Sequence, residues 1–420
     1  MNRFHTTFAF VLVTVLSTCG TETTSQQSVP TGAQMFAGEA SENTFQFVAP
    51  ALSDDELRTG WISLFDGTTL FGWEANSNAN WTVTDGGITA DSGTPGLLLT
   101  AFEYGDYELR CDFRLAAGGN SGVFLRTTSD PTSPVTDCYE LNMCDTHETF
   151  PTGSLVARSR APDSPAVEDG NWHSWHVRLA GRRISVELDG AAVLDFQDTY
   201  DAARTIGRIG LQMNGGRVEF RNIFLRPLEL QALFSGHDLS GWRIVPGSMS
   251  SFEVADGAIH VLDGPGFLET ESVWDNFLLQ AEIRTGGAKL NSGIFFRAMP
   301  GTEDAPSNGY EMQIHNGFRD GDRSKPSNAG TGAIFRRSTA RYVVADDESW
   351  FQCTLIAQGN RFGSWINGYP VMLWTDDREL NDNPRKGRRS KAGHVSLQGH
   401  DPTTDLRFRN LRIARVKREA

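Results

Sequence analysis

The 420-residue chain lacks several features that would assign it to a familiar class of protein. It has only five cysteines, and none of them stands in a CxxC pair or at a Cys/His spacing typical of a zinc site. A glycine-rich phosphate loop and a Ser/His/Asp signature are also missing. Positive charge is scarce, because 38 lysines and arginines face 52 acidic residues and leave a formal net charge of -14. Nucleic-acid binding requires a cationic surface, so we predict no nucleic-acid partner.

The only long apolar run lies at the N-terminus, where Arg3 precedes an apolar stretch over residues 8–16. This stretch is too short to span a membrane and predicts a signal peptide over residues 1–19. The segment "LSTC" at its end resembles the lipobox of bacterial lipoproteins, which would make Cys19 the lipidated residue; ordinary signal cleavage is the alternative. We therefore expect an exported protein of the periplasm or cell envelope with a lipid anchor. Residues 20–60 are predicted to be a tether and linker.

Export makes disulfides possible for the remaining cysteines. Cys138 and Cys144 lie six residues apart in a strand-like run. They would be separated by roughly 20 Å in an extended chain, so they cannot pair unless the strand breaks. Cys111 could pair with either of them, and Cys353 has no evident local partner. Small buried thiols are the alternative for all four.

An internal repeat is the strongest organising signal in the chain. The segment "LFDGTTLFGW" at 64–73 returns as "LFSGHDLSGW" at 233–242, and "GGNSGVFLR" returns as "KLNSGIFFR". The segment "YELNM" at 139–143 returns as "YEMQI" at 310–314. These pairs predict two homologous domains, over residues 61–227 and 228–417.

Within each copy the local pattern is that of strands joined by turns. Residues 107–115 alternate apolar and charged side chains, as in a strand with one buried face. Asp189-Gly190 and Asn367-Gly368 occupy equivalent positions and predict two-residue hairpin turns. Short helices are expected only at residues 54–58 and 201–204. The sequence therefore predicts an all-β protein of two tandem β-sandwiches.

These motifs, together with "TG.L", "GNRF..WING" and a closing "LQ…FRN", resemble the bacterial 3-keto-disaccharide hydrolase family. The resemblance implies two concanavalin-like jelly rolls, each with a concave sheet that binds sugar. It also implies a glycoside hydrolase that acts on an oligosaccharide or glycoside already oxidised to a ketone at C3. A non-catalytic, lectin-like carbohydrate-binding protein on the same fold is the alternative, because fold does not fix function.

Strand alternation selects candidate site residues in the second copy. In "NSGIFFR" Phe295 and Arg297 are predicted on one face, and Glu311, Gln313 and His315 share one face of the next strand. An enolate-forming reaction needs a general base and a cation for the enolate oxygen. We predict Glu311 or His315 as the base and Arg297 as the cation. A structural ion pair between Arg297 and Glu311 is the alternative interpretation.

The first copy offers a second candidate set on the same pattern. The second copy is expected to hold the better site because "YEMQIH" is closer to the family motif "YE.QI" than "YELNMC" is. The further candidates are Asn291 and His400 for substrate binding in the second copy, Glu140 and Arg126 for catalysis in the first copy, and Asn120, Asn142 and Asp145 for substrate binding there.

The reaction that would use these residues is elimination of the C1 substituent followed by hydration of the enone. Direct displacement with paired carboxylates is the competing mechanism. We predict no cofactor, and the sequence leaves the use of a divalent metal open. A basic cluster in "NPRKGRRSKAG" predicts a solvated loop, with contact to a phosphate or an acidic sugar as the alternative.

Overall fold

The computed structural model describes residues 47–161, 163–167, 169–201, 203–306 and 308–416. The predicted signal peptide, Cys19 and most of the predicted tether lie outside these residues. Within them, no helix is both long and apolar enough to cross a membrane.

One short helix, α1 (Asp54–Thr59), precedes the first strand. It begins at Ser53, whose side chain and that of Glu56 form a reciprocal capping box. It ends at Gly60, which has a φ of 98° and closes the helix in the left-handed conformation. The predicted helix at 201–204 is wrong, because its described residues form a turn and irregular chain. There the backbone N–H of Arg204 donates to the Tyr139 hydroxyl at 3.1 Å instead of to a helical carbonyl.

The first sandwich consists of two antiparallel sheets that enclose one apolar core. An eight-stranded sheet has the order β11-β10-β9-β6-β13-β4-β3, with β1 also on β13, and a five-stranded sheet has the order β2-β5-β12-β7-β8. The strands are β1 (Ile62–Ser63), β2 (Trp73–Ala75), β3 (Thr82–Thr84), β4 (Gly87–Ala90), β5 (Gly96–Thr100), β6 (Tyr107–Leu115), β7 (Ser121–Thr127), β8 (Tyr139–Met143), β9 (His173–Ala180), β10 (Arg183–Leu188), β11 (Ala191–Gln197), β12 (Arg208–Met213) and β13 (Val218–Pro227).

The second sandwich repeats this topology. Its eight-stranded sheet has the order β16-β17-β28-β19-β24-β25-β26, with β14 also on β28, and its five-stranded sheet has the order β15-β18-β27-β20-β21. A two-stranded ribbon of β22 and β23 is added. The strands are β14 (Gln231–Ala232), β15 (Trp242–Ile244), β16 (Ser251–Ala255), β17 (Ala258–Leu262), β18 (Gly266–Thr270), β19 (Phe277–Thr285), β20 (Ser292–Met299), β21 (Asn308–Ile314), β22 (Phe318–Arg319), β23 (Asp322–Pro326), β24 (Phe351–Gln358), β25 (Arg361–Ile366), β26 (Tyr369–Thr375), β27 (His394–Gly399) and β28 (Asp405–Arg415).

The alternation in the sequence explains why the strands form sheets with one buried face. In β6 the apolar residues are buried, whereas Arg110, Asp112 and Arg114 are partly exposed. Both predicted hairpin turns are confirmed, because Asp189 and Asn367 have φ values of 49° and 46° and are followed by left-handed glycines. The all-β class and the two tandem sandwiches are therefore confirmed. The cysteines Cys111, Cys138, Cys144 and Cys353 are free and buried.

The two sandwiches pack against each other through direct contacts. The indole N–H of Trp365 on β25 donates to the carbonyl of Ser63 at 2.8 Å. The guanidinium of Arg341 lies 2.8 Å from the fully buried carboxylate of Asp66. At Gly363 an added Cβ would lie 2.5 Å from the ring of Phe102, so only glycine permits this close approach. These contacts bring the second sandwich's large sheet onto the first sandwich.

Candidate active site

The candidate residues of the second sandwich lie on the side of its five-stranded sheet that faces away from the core, which we call the outer face. Strand register defines the arrangement: Phe295 of β20 stands between Glu311 of β21 and Ser396 of β27. Gly293 is paired with Gln313 in the next row. The predicted alternation is therefore confirmed for Phe295, Glu311 and Gln313, which share this face.

Glu311 is a carboxylate on β21, the edge strand of the outer face. Its side chain is 10% exposed, and one carboxylate oxygen lies 3.6 Å from the Nη2 atom of Arg385. The side chain of Glu311 lies across Gly293, where an added Cβ would lie 2.9 Å from Cγ of Glu311. Burial raises the pKa of Glu311, and the nearby charges of Arg385, His400 and Arg336 only partly offset it. A carboxylate held in this way is a stronger base than a solvated one.

Three neutral polar atoms around Glu311 are buried and have no hydrogen-bond partner among the described residues: Oε1 of Gln313, Oγ of Ser396 and Oε1 of Gln398. The amide N–H group of Gln313 is already fixed, since it donates to Oδ1 of Asn291 at 2.8 Å. Buried polar groups are normally satisfied, and an exception on an open face indicates a ligand or water position. These atoms can bind the hydroxyl groups of a sugar.

His315 lies on the same strand edge but apart from Glu311. Four residues of extended chain separate their Cα atoms by roughly 13 Å. Burial lowers the pKa of His315, and its Nδ1 atom accepts a hydrogen bond from the backbone of Gly317 at 3.2 Å. His315 and Glu311 therefore lie at separate positions along the chain. His400 follows β27 and is paired with Asp401 at 2.8 Å.

Phe295 is on the predicted face but does not present its ring to solvent. It is fully buried, its ring packs edge-on against Phe267, and the guanidinium of Arg385 lies 5.4 Å from its ring centroid. The candidate Phe295 therefore has no ring surface open to a substrate. The ring instead forms a cation–π contact with the guanidinium of Arg385.

The predicted placement of Arg297 beside Glu311 is also wrong. A β-bulge interrupts β20 after Phe296, and Arg297 has a φ of 45°. The bulge adds a residue to the strand and turns Arg297 away from the face of Phe295. Its fully buried guanidinium donates to the carbonyls of Asp275 and Gly359 at 2.7 Å and 2.6 Å. The cation beside Glu311 is Arg385.

Arg126 occupies the equivalent bulge in the first sandwich, with a φ of 49°. Its buried guanidinium donates to the carbonyls of Gly105 and Gly181 at 2.9 Å and 2.7 Å and bonds Asp106 at 2.6 Å. The proposed catalytic role of Arg126 is therefore not supported by its position. In both copies this arginine connects loops at one end of the sandwich by donating hydrogen bonds to their carbonyl groups. This shared structural role explains why both copies of the motif end in arginine.

The remaining candidates of the first sandwich lie around Glu140. Burial raises the pKa of Glu140, and one of its oxygens accepts a hydrogen bond from Gln212 at 3.3 Å. The side chain of Asn142 is used within the protein, because it donates to the carbonyl of Phe150 and accepts from its neighbouring backbone. Asn120 pairs with Gly215 through its backbone, and exposed Asp145 accepts from the backbone of Val167 at 2.7 Å. The first outer face thus satisfies more of its own polar groups.

The described residues hold no cluster of three or more His, Cys, Asp or Glu side chains that could bind a metal ion. The outer face of the second sandwich offers the carboxylate of Glu311, several neutral hydrogen-bonding groups and a nearby arginine. A second carboxylate on this face, Glu269, is already bound by Arg243 and by the backbone N–H of Gly301. Such a set can exchange a proton with a bound sugar and hold its hydroxyl groups.

Residues 60–226 and 229–414 each match the 3-keto-alpha-glucoside-1,2-lyase-like domain family. The chain belongs to this family. A stretch of 127 residues is 34% identical to a 3-keto-disaccharide hydrolase of Bacteroides thetaiotaomicron, covering 27% of this chain and 43% of that protein. This match spans less than half of the relative's length. Membership of the lyase-like family supports a carbohydrate-active role.

Two solved structures that are similar to this member of the lyase-like family each cover less than half of it. A candidate glycosyl hydrolase of Parabacteroides distasonis is 21% identical, with a TM-score of 0.39 over 43% of this chain and 99% of that chain. The carbohydrate-binding module CBM66 of Bacillus subtilis is 19% identical, with a TM-score of 0.31 over 37% of this chain and 95% of that chain.

Sequence reasoning missed several residues of this site. Ser396 and Gln398 lie on β27, and the repeated "LQ" that contains Gln398 was a usable signal. Arg385 belongs to the basic cluster that we predicted to be a solvated loop. Only the fold brings that loop to the edge of the outer face, because its position depends on pairing between β20, β21 and β27.

Proposed function

We propose that the second sandwich cleaves 3-keto-glycosides by elimination and hydration, with Glu311 as the general base. The observation that carries this proposal is the position of Glu311: buried, with a raised pKa, beside one cation and among unpaired polar atoms. The name of the family and the 3-keto-disaccharide hydrolase relative support the same chemistry. Without a ketone at C3, the hydrogen at C2 would be too weakly acidic for a carboxylate to remove.

The proposed steps balance without an oxidant or reductant. Glu311 removes the proton from C2, and the electron pair of that C–H bond forms an enolate whose oxygen is on C3. Arg385 is the cation that stabilises this oxygen. The enolate then re-forms the ketone at C3, and its C2–C3 electron pair becomes the C1–C2 double bond of an enone. The C1 substituent leaves with the electron pair of its bond to C1, and its oxygen takes a proton. Water adds to C1 and C2 regains a proton, so the net reaction is hydrolysis.

The test is turnover of a 3-keto-disaccharide, with the unoxidised disaccharide as a control. Turnover of the keto-sugar should fall by a factor of about 100 or more in Glu311→Gln, which keeps the shape but removes the base. The matched variant Glu140→Gln should retain activity. If Glu140→Gln loses turnover and Glu311→Gln does not, the site belongs to the first sandwich. A parent protein that turns over no keto-glycoside would instead favour the lectin-like alternative.

Reaction in deuterated water separates the two mechanisms. Elimination and hydration place solvent deuterium at C2 of the product, whereas direct displacement leaves the original hydrogen there. The proposed steps transfer protons, break one C–O bond and form another without any oxidation or reduction, so they predict no need for a cofactor. Dialysis against a chelator should therefore leave turnover unchanged, and its loss would indicate a divalent metal.

We also propose that the protein is exported and lipid-anchored at Cys19, which lies outside the described residues. The basis is the "LSTC" segment after a short apolar run. Mass spectrometry of the mature protein should find a lipid on an N-terminal Cys19. An unmodified mature N-terminus beyond residue 19 would contradict lipidation but not export.

A further inference from the structure

The cleft that contains Glu311 is lined by three arginines, Arg336, Arg337 and Arg385. It is an open cleft at the edge of the outer face, with an accessible volume of about 100 Å³. Glu311 supplies one negative charge to this cleft, whereas the arginines supply three positive charges. This local excess is opposite in sign to the whole chain, which has a formal net charge of -14.

The first sandwich lacks this cleft charge, although its backbone follows the same path. Arg336 has a φ of 62°, and the residue at the equivalent position is Ala157 with a φ of 59°. The side chain of Arg336 stacks over Phe335, with 5.3 Å between the guanidinium carbon and the ring centroid. The equivalent of Phe335 is the smaller Val156. The second sandwich therefore carries both an added cation and an aromatic ring that supports it.

Arg337 has a counterpart, Arg158, but the two side chains have different partners. The fully buried side chain of Arg158 forms an ion pair with Asp198 at 2.8 Å. In the second sandwich the equivalent carboxylate, Asp376, is instead bound by Arg378 at 2.8 Å. Arg378 thus replaces the structural function of Arg158, and Arg337 lines the cleft.

Arg385 comes from a segment that is longer in the second sandwich. The chain from Asp376 to Gln398 contains more residues than the equivalent chain from Asp198 to Gln212. Arg337 steadies this segment by donating from Nη2 to the carbonyl of Arg385 at 2.9 Å. Burial and the charge of Arg378 lower the pKa of Arg337, so an anion in the cleft would relieve an unfavourable environment.

We propose that the three arginines form a subsite for a negatively charged substituent on the sugar, either a carboxylate or a sulfate group. This inference rests on the proposed function, because it identifies the substrate of that site as an acidic glycoside. Arginine suits this role since its planar guanidinium donates two parallel hydrogen bonds to such groups. The arginines and Glu311 line one cleft, so a single sugar residue can contact both.

Binding of unoxidised glycosides tests this subsite without any turnover. The probes are methyl glucuronide, methyl glucoside 6-sulfate and neutral methyl glucoside, titrated against the full chain by calorimetry or by NMR. We expect at least one charged probe to bind about tenfold more tightly than the neutral probe, as expected for one charge-assisted hydrogen bond. Preference for the glucuronide would identify a carboxylate, and preference for the sulfated probe would identify a sulfate. Added salt should weaken only the charged probes.

Matched variants locate the effect. Arg336→Ala introduces the residue found in the first sandwich, and Arg337→Gln removes the charge while keeping a similar side-chain length. Each variant should lose most of the tighter binding of the charged probe over the neutral probe. Lys386→Ala removes an exposed charge from the same loop and should leave it unchanged. Equal binding of all three probes by the parent protein would overturn the subsite. The keto-sugar assay decides the proposed function separately, since neutral keto-glycosides can be turned over without an anionic group.

Discussion

At the scale of single residues, the two sandwiches place a glutamate at the same position with different neighbours. Glu311 and Glu140 both have a pKa raised by burial. Glu140 accepts a hydrogen bond from the amide N–H of Gln212, whereas Glu311 faces Arg385. The Oε1 atoms of Gln212 and of the equivalent Gln398 are both buried without a hydrogen-bond partner among the described residues. The geometry of the strand is therefore shared, and the neighbours determine which carboxylate is available to a substrate.

The raised pKa of Glu311 predicts opposite effects of Glu311→Gln on stability and on activity. The folded protein holds this proton more tightly than the unfolded chain does. The stability contributed by the group is thus fully present below its ordinary pKa of 4.5 and is lost as the pH rises through the folded-state pKa. We expect Glu311→Gln to raise the free energy of unfolding at pH 7 relative to the parent and to leave it unchanged at pH 3. Denaturant unfolding at the two pH values measures this difference.

A glutamate with the opposite shift provides the control. Burial by itself would raise the pKa of Glu108, but hydrogen bonds from Arg226 and Arg178 lower it below its ordinary value. Glu108→Gln should therefore lower the free energy of unfolding at pH 7. If both variants are destabilised at that pH, Glu311 is a stabilising ion-pair partner rather than a base held in an unfavourable environment.

The alternation of residues along the strands predicted part of this site correctly and failed at the β-bulges. Alternation correctly placed Glu311 and Gln313 on one face because β21 is regular over Asn308–Ile314. It failed at Arg297 and at Arg126, where a bulge with positive φ changes the direction of the side chain. Nothing in the local pattern distinguishes a bulged arginine from a regular one, because the bulge depends on close approach of the neighbouring strand. At Gly393 an added Cβ would lie 2.3 Å from the backbone of Arg297.

At the scale of strands, β20 and β21 fit together through a glycine at the site. Gly293 is paired with Gln313, and the side chain of Glu311 lies across it. An alanine at this position would place its Cβ 2.9 Å from Cγ of Glu311 and 3.1 Å from the carbonyl of Met312. The backbone carbonyl cannot move without breaking the sheet, so the glutamate has to change its rotamer.

We expect Gly293→Ala to reduce turnover at least about tenfold while the protein stays folded, because a displaced base loses its alignment with the substrate. Gly122→Ala is the matched control in the first sandwich, where the nearest glutamate atom is Cγ of Glu140 at 3.6 Å. Steady-state kinetics and circular dichroism of both variants measure the two effects. Equal loss of turnover in both variants would mean that the substitution acts through the fold and not through Glu311.

At the scale of the whole molecule, the two sandwiches differ on the outer side of their large sheets. In the first sandwich, Glu108, Arg178 and Glu187 make this surface charged. The equivalent residues of the second sandwich are Leu278, Ile356 and Trp365, which are buried in one cluster with the core of the first sandwich. The repeat predicted two sandwiches correctly, but we did not predict that one rests on the other. The exchange of charged for apolar residues at these positions is visible in the sequence and would have predicted a buried surface on the second sandwich.

This difference explains which of the two large sheets is covered by the other sandwich. Each large sheet could in principle cover another copy, but a charged surface is costly to bury without matched partners. Only the second sandwich has exchanged charge for apolar side chains at this surface. The first sandwich therefore packs on the second, and its own large sheet keeps its charged pairs, such as that of buried Glu108 with exposed Arg178.

We predict that the parent protein unfolds in one cooperative transition and that Trp365→Ala separates or destabilises the sandwiches. The indole is 6% exposed, packs edge-on against Phe102 at 6.1 Å between centroids and donates to Ser63 at 2.8 Å. Removing a buried tryptophan costs about 3–5 kcal/mol, enough to uncouple two domains held by one interface. Differential scanning calorimetry should show two transitions, or one at a lower temperature, and Glu187→Ala at the equivalent exposed position should match the parent. A single transition at the parent temperature in Trp365→Ala would mean that the sandwiches are coupled chiefly through other contacts, such as the ion pair of Arg341 with Asp66.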